Sequence, residues 1–251
     1  VTVVVSSQPA DATVNETQTA TFTTLGGVTM APVGGNAASS SFEVDQFDTP
    51  SGGGGGEAGG FSSHTPGVTY QWEKSDDGGG AWNPIGGATS ASYTTGLTTY
   101  ADDHNDQYRC VISAVGAASP ATTNAVTLTV LRTFSITSQP SNATANEGAT
   151  AQFSVTTNSS SGTVTYQWER SDDGGANYAS VGGTGQAATF TTPTLVFDND
   201  NLDRYRVVAS LVGAAADITS THGELTVLRV ISISSQPVSY THLTLPTTML
   251  V

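Results

Sequence analysis

Apolar and polar residues alternate with a period of two along much of the chain, in short runs broken by Gly, Asp, Asn and Pro. Ala149, Ala151, Phe153 and Val155 share one side of such a run; Val164, Tyr166 and Trp168 share another, and Tyr205, Val207 and Ala209 a third. A two-residue period over short segments, with turn residues between them, predicts strands that bury one face.

The runs come in an order that is used twice. "VVVSSQPADATVNET" at residues 3–17 returns as "FSITSQPSNATANEG" at 134–148, and its opening returns again as "ISISSQP" at 231–237. "VTYQWEKSDDGG" from Val68 matches "VTYQWERSDDGG" from Val164, "DQYRCVISAVGAA" from Asp106 matches "DRYRVVASLVGAA" from Asp203, and "LTVLR" recurs from Leu128 and Leu225. Self-similarity of this kind sets the domain plan: a first unit at 1–132, a second at 133–229, and the start of a third at 230–237. "LTVLR" passes into "TFSITSQP" with almost no linker, which favours a stiff array. Several short strands with regular turns in each unit predict an all-β fold, a β-sandwich per unit.

Composition agrees, with Thr, Val, Ser, Gly and Ala abundant and good helix formers scarce. Only 11% of the 251 residues are charged, 21 acidic against 7 basic, for a net charge of -14. That balance repels phosphate backbones and anionic membranes, so nucleic acid is excluded as a partner class. Membrane insertion is also not expected, since no stretch approaches the roughly 20 apolar residues of a membrane span. Cys110 is the single cysteine, so no intrachain disulfide forms and the redox compartment is not readable.

Trp72 and Trp168 in "YQW", and Tyr108 and Tyr205 in "YRC" and "YRV", carry a resemblance to immunoglobulin-like domains, which place a tryptophan on strand C and a tyrosine two residues before the second cysteine of an inter-sheet pair. That second position holds Cys110 in the first unit and Val207 in the second, and its strand B partners are Thr24 and Val155, so the bridge is missing from both. The chain thus resembles two tandem immunoglobulin-like β-sandwiches, in the style of repeats from tailed phages of aquatic bacteria and from bacterial surface proteins. Such a fold hosts many unrelated functions.

Candidate chemistry is sparse. The four paired aromatics are expected in the core and Cys110 beside them as a small inward hydrophobe, whereas Trp82, aligned with Tyr178 after strand C, is a candidate for touching a partner. "ADDHND" (Asp102, Asp103, Asp106) and "FDNDNLD" (Asp198, Asp200, Asp203) group carboxylates as calcium sites do. They lack the Gly and terminal Glu of an EF-hand loop, and turn capping is the expectation. His64, His104 and His222 do not recur between units, "GGTGQAA" near Gly183 lacks a phosphate-loop lysine, and no serine elbow or zinc spacing is present. No catalytic, cofactor-binding or metal residue is therefore assigned, and no cofactor and no enzyme activity are expected. Asn15, Asn142 and Asn158 begin glycosylation-type triplets, which arise by chance in Thr/Ser-rich chains.

Two segments depart from the repeat. The first unit carries an insertion at 25–66 between strands B and C, where the second unit has only "TTNSSSGT". Its "SGGGGGEAGG" predicts disorder, Phe42, Val44 and Phe47 suit a short strand or hairpin arm, and long loops here are candidates for binding. The tail at 238–251 is similar to a translated sequencing adapter, because GTC TCT TAT ACA CAT CTG ACG CTG CCG ACG encodes residues 238–247; it is expected to be non-native and is set aside. The resemblance implies a non-catalytic repeat module of a larger virion or cell-surface protein, engaged in adhesion or spacing. Its partners would be surface proteins or glycans held weakly; the alternatives are a bacterial adhesin spacer and an accessory glycan-binding module of a secreted enzyme.

Overall fold

The alternating segments become strands of a computed structural model that describes residues 1–30, 67–235 and 240. The first set comprises β1 (Thr2–Ser7), β2 (Ala12–Asn15), β3 (Thr21–Thr23), β4 (Leu25–Thr29), β5 (Val68–Ser75), β6 (Asn83–Pro84), β7 (Ser92–Thr94), a single helical turn α1 (Tyr100–Asp103), β8 (Gln107–Ala114), β9 (Ala121–Thr122) and β10 (Val126–Leu131). The second runs β11 (Phe134–Ser138), β12 (Ala143–Asn146), β13 (Gln152–Ser154), β14 (Thr156–Ser159), β15 (Thr165–Ser171), β16 (Ala179–Ser180), β17 (Thr189–Thr191), α2 (Phe197–Asp200), β18 (Arg204–Ser210), β19 (Ile218–Thr219) and β20 (Gly223–Leu228).

Each set builds one large sheet and small companions that cover it. In the first, the order is β2-β10-β8-β5-β6 with β9 on the side of β8, faced by the pairs β3-β7 and β1-β4; the second repeats this as β12-β20-β18-β15-β16 with β19, faced by β13-β17 and β11-β14. β2 with β10 and β12 with β20 are parallel, Ala12 to Asn15 lying beside Leu128 to Leu131 and Ala143 to Asn146 beside Leu225 to Leu228, whereas β1 with β4, β3 with β7, β5 with β6 and β8, β8 with β9 and β10, β13 with β17, β15 with β16 and β18 with β20 are antiparallel. The protein is all-β, with two immunoglobulin-like sandwiches. Among the described residues no helix is long and apolar enough to cross a membrane.

The inward residues are those the alternation predicts. Phe22 on β3, Trp72 on β5, Tyr108, Cys110 and Ile112 on β8, and Leu128 and Val130 on β10 are buried together. Phe153, Trp168, Tyr205, Val207, Ala209, Leu225 and Val227 are their buried counterparts. Ala149 is an exception: it is exposed in the turn before β13, because the strand begins later than the apolar alternation suggests.

By packing, the chain divides into one compact unit of Val1–Ile136, Thr157–Val164 and Ser210–Ile218, and a second of Thr137–Thr156, Thr165–Ala209 and Thr219–Val251. Leu25–Thr29, assigned to the insertion from sequence, is β4 and pairs with β1 from Thr2↔Thr29 onward. Insertion residues 31–66, with Phe42, Val44, Phe47 and His64, lie outside the described residues, as does the tail apart from Tyr240.

Candidate functional site

The recurring aromatics are framework. Trp72 and Trp168 have no solvent exposure, and each indole N–H reaches a carbonyl, Ser90 O at 2.9 Å and Ala187 O at 2.8 Å. That pairing removes the penalty a buried donor would otherwise carry. Tyr108 stacks on Phe22 with ring centroids 4.6 Å apart, and Tyr205 on Phe153 at 4.7 Å. Burial pushes both phenols well above the ordinary tyrosine value. Cys110 sits opposite Trp72 in the β5–β8 register; burial pushes its thiol up to about 11, which leaves no thiolate for nucleophilic chemistry at neutral pH. Its amide N–H donates to Thr123 Oγ1, and Val207 N–H to Ser220 Oγ, both at 2.9 Å.

The polar motifs are also framework. Gln8 and Gln139 of "SQP" accept the amides of Asn124 and Thr221 at 2.8 and 2.9 Å. Three residues on, Asp11 and Asn142 accept those of Thr127 and Glu224 at 2.8 and 2.9 Å. Asn142 thus uses its amide oxygen in a cap, and Asn158 Oδ1 takes the Ser135 hydroxyl at 2.5 Å; Asn15 is exposed. In "SDDGG", Ser75 donates to Asp77 at 2.6 Å and accepts the Gly79 amide at 2.8 Å, and Ser171, Asp173 and Gly175 repeat this. Two consecutive glycines are needed because Gly78 and Gly79 have φ of 74° and 95°. The hydrogen bonds of these turns hold the exposed Asp77 and Asp173 carboxyls below the ordinary range, Asp77 chiefly through Ser75 and Asp173 chiefly through the Asn177 amide.

The outward face of β5 and β8 carries Trp82, the aromatic candidate for touching a partner. Glu73 faces Arg109 in register and binds its Nε at 2.8 Å, while the guanidinium lies 4.2 Å over the Trp82 ring. In the second set Arg206 pairs with Glu169 at 2.8 Å and lies 3.7 Å over Tyr178. Each ring thus has one face under an arginine.

The acidic turns are ion pairs. Lys74 Nζ stands 2.5 Å from Asp106 and 3.5 Å from Asp103; Arg170 stands 2.6 Å from Asp203 and 3.3 Å from Asp200. Asp106 and Asp203 are buried. Burial raises both carboxyls against the pull of the neighbouring cation, Asp203 to about 6. Asp103, Asp106, Asp200 and Asp203 are therefore turned to a side-chain cation, whereas Asp102 accepts the Thr99 hydroxyl at 3.0 Å, and among the described residues no three His, Cys, Asp or Glu gather as a metal site. His104 accepts the Val130 amide at 3.2 Å and Asn201, its counterpart, accepts that of Val227 at 2.9 Å, so the imidazole replaces an amide as a strand cap. His222 is exposed. Beside Arg170 lies a cavity of about 460 Å³ walled by Phe190, Thr192, Leu195, Asp200 and Tyr205.

A profile described as a domain of unknown function (DUF8696) matches residues 54–132. No curated protein matches the chain. Solved structures similar to it include the I67–I69 fragment of the titin I-band (13% identity over 91% of this chain, TM-score 0.40), Sidekick-1 immunoglobulin domains 1–4 (13%, 90%, 0.48) and the N-terminal four immunoglobulin domains of Dscam1 isoform 6.9 (13%, 90%, 0.42). The chain spans 66%, 48% and 46% of those fragments, respectively.

Proposed function

We propose that the chain is a non-catalytic stretch of immunoglobulin-like repeats from a larger structural protein of a virion or cell surface, a phage protein by the style of its motifs, which spaces other domains or adheres weakly along its length. The observation that carries this reading is the use made of the recurring motifs: "SQP", "YQW", "SDDGG" and "YRC/YRV" serve core packing, turn capping and strand pairing. What is repeated is a scaffold. Adhesion by such a scaffold would come from avidity, many weak contacts whose effective concentrations multiply.

A glycan-binding accessory role is the second reading, favoured by the cavity beside Arg170, where aromatic, hydroxyl and charged side chains meet. A glycan array and whole-cell binding with the purified chain at about 100 μM separate the two, weak sites falling between millimolar and micromolar. The spacer reading expects no saturable binding. Saturable binding that Arg170→Ala abolishes would establish the second reading instead. Long-read sequencing of the source DNA across the codon for Pro237 tests the rest: neighbouring virion genes support the phage assignment, a surface anchor supports an adhesin spacer, and a catalytic domain in the same frame overturns both. The same read shows whether residues 238–251 are natively encoded.

A further inference from the structure

The first compact unit contains a polar contact whose acceptor half is present again in the second. Glu16, just after β2, is 8% exposed. It accepts the Tyr100 amide at 2.8 Å and the hydroxyls of Ser160 and Ser161, the latter at 2.8 Å. Burial pushes this carboxyl up, but the Ser160, Tyr100 and Ser161 hydrogen bonds and the Arg132 charge outweigh it and hold it below the ordinary glutamate value. Arg132, just after β10, lies 4.1 Å over the Tyr100 ring and donates to Ser161 Oγ at 2.9 Å and Val212 O at 3.0 Å. Its own amide donates to Gly213 O at 2.8 Å. Gly213 has φ of 89°, and a Cβ there would run into the Tyr100 ring. Glutamate, aromatic ring and arginine thus receive two adjacent hydroxyls and two carbonyls from Thr157–Val164 and Ser210–Ile218, segments of the same compact unit.

In the second unit the corresponding residues are Glu147, Phe197 and Arg229. Glu147 accepts the Phe197 amide at 3.3 Å, Arg229 lies 4.3 Å over the Phe197 ring, and Arg229 pairs with Asp198. Here the set is open to solvent: Glu147 is exposed where Glu16 is buried, and the Arg229 side chain is 58% exposed. The chain that follows repeats the β11 sequence. Ile231 and Ile233 are 92% and 76% exposed, whereas Phe134 and Ile136, their counterparts on β11, are half-buried on a strand paired with β14.

We infer that Glu147, Phe197 and Arg229 form the docking surface for a following copy of this repeat, which supplies two adjacent hydroxyls to Glu147 and Arg229 and a main-chain carbonyl to the Arg229 amide. The exposed isoleucines then enter the first strand of that copy. The inference rests on the reading of the chain as a repeat module, and it specifies the partner and the atoms.

The test is a chain of residues 1–229 followed by a second copy of 133–229, compared with 1–229 alone by amide hydrogen exchange resolved by NMR. Protection of the Phe197 and Arg229 amides should rise about tenfold on extension, the scale of one or two net hydrogen bonds. The Tyr100 and Arg132 amides, already bonded, should not change and serve as the internal reference. Replacing the Ser160–Ser161 equivalents of the added copy by alanine should cancel most of the gain, while β18-type amides of that copy report that it has folded. Equal exchange of Phe197 and Arg229 in the two chains would overturn the docking surface, and undiminished protection in the alanine variant would overturn its hydroxyl chemistry. Glycan binding in the array would leave these protections unaffected, so failure of the spacer reading is read separately.

Discussion

Replacing Asp203 by asparagine isolates the cost of a buried charge. The carboxylate is 2% exposed, and burial, reinforced by Asp200 and Asp172, raises its pKa from 3.8 to about 6 despite Arg170 at 2.6 Å. The folded chain therefore holds a proton between those values that the unfolded chain has released. Stability from this group is fully present below pH 3.8 and is lost as the pH rises through 6. A difference of roughly two pH units at 1.36 kcal/mol each comes to about 3 kcal/mol. Asp203→Asn keeps the shape and never charges. Relative to this variant, the native chain should lose about 3 kcal/mol between pH 3.5 and pH 7.5. Native-state exchange of the Val207 and Leu225 amides measures that difference, and the ¹³Cγ shift of Asp203 gives its titration directly. Titration of Asp203 below 4, or a gain of the native chain on the variant as the pH rises, would mean that Arg170 more than compensates the burial and would refute this cost.

Three further outcomes follow from the packing. Trp168→Ala removes a fully buried indole and should destabilise the second sandwich by about 3–5 kcal/mol in denaturant melts, or prevent its folding. Gly223→Val should cost at least about 1–3 kcal/mol even though Val126 fills the matching position of the first set, because a Cβ at Gly223 would stand 2.5 Å from the Ser141 carbonyl; a neutral result by thermal melt would show that the turn gives way. Cys110 should resist maleimide at pH 7.5 until the chain is denatured, while Cys110→Val, copying Val207, should change stability by less than about 1.5 kcal/mol; rapid native labelling would contradict its burial.

What was legible from sequence was what depends on local spacing. Tyr205, Val207 and Ala209 share an inward face because a strand alternates, whatever it packs against, and the tandem motifs placed Trp72 and Trp168 in the core. Ala149 misled because a small residue carries the period without fixing where the strand starts. Partners far along the chain were not legible. Arg109, on another strand, lies across one face of the Trp82 ring, a contact that nothing near Trp82 in sequence announces. The spacing puts Asp106 and Asp203 in turns, but their burial against Lys74 and Arg170 depends on how β5 and β15 lie beside β8 and β18. "SQP" recurred visibly, yet its reason, a glutamine capping the amide of Asn124 or Thr221, spans most of a sandwich.

The parallel pairing of β2 with β10, and of β12 with β20, bears on how each sandwich meets tension. Strands near the entry and exit of each set run in the same direction, so pulling the chain from both sides drags them past one another lengthwise. Four residue pairs then share the load in shear and must give way together, whereas strands peeled apart from one end would yield a bond at a time. A sandwich wired this way should resist a steady pull and then rupture abruptly rather than unravel by degrees.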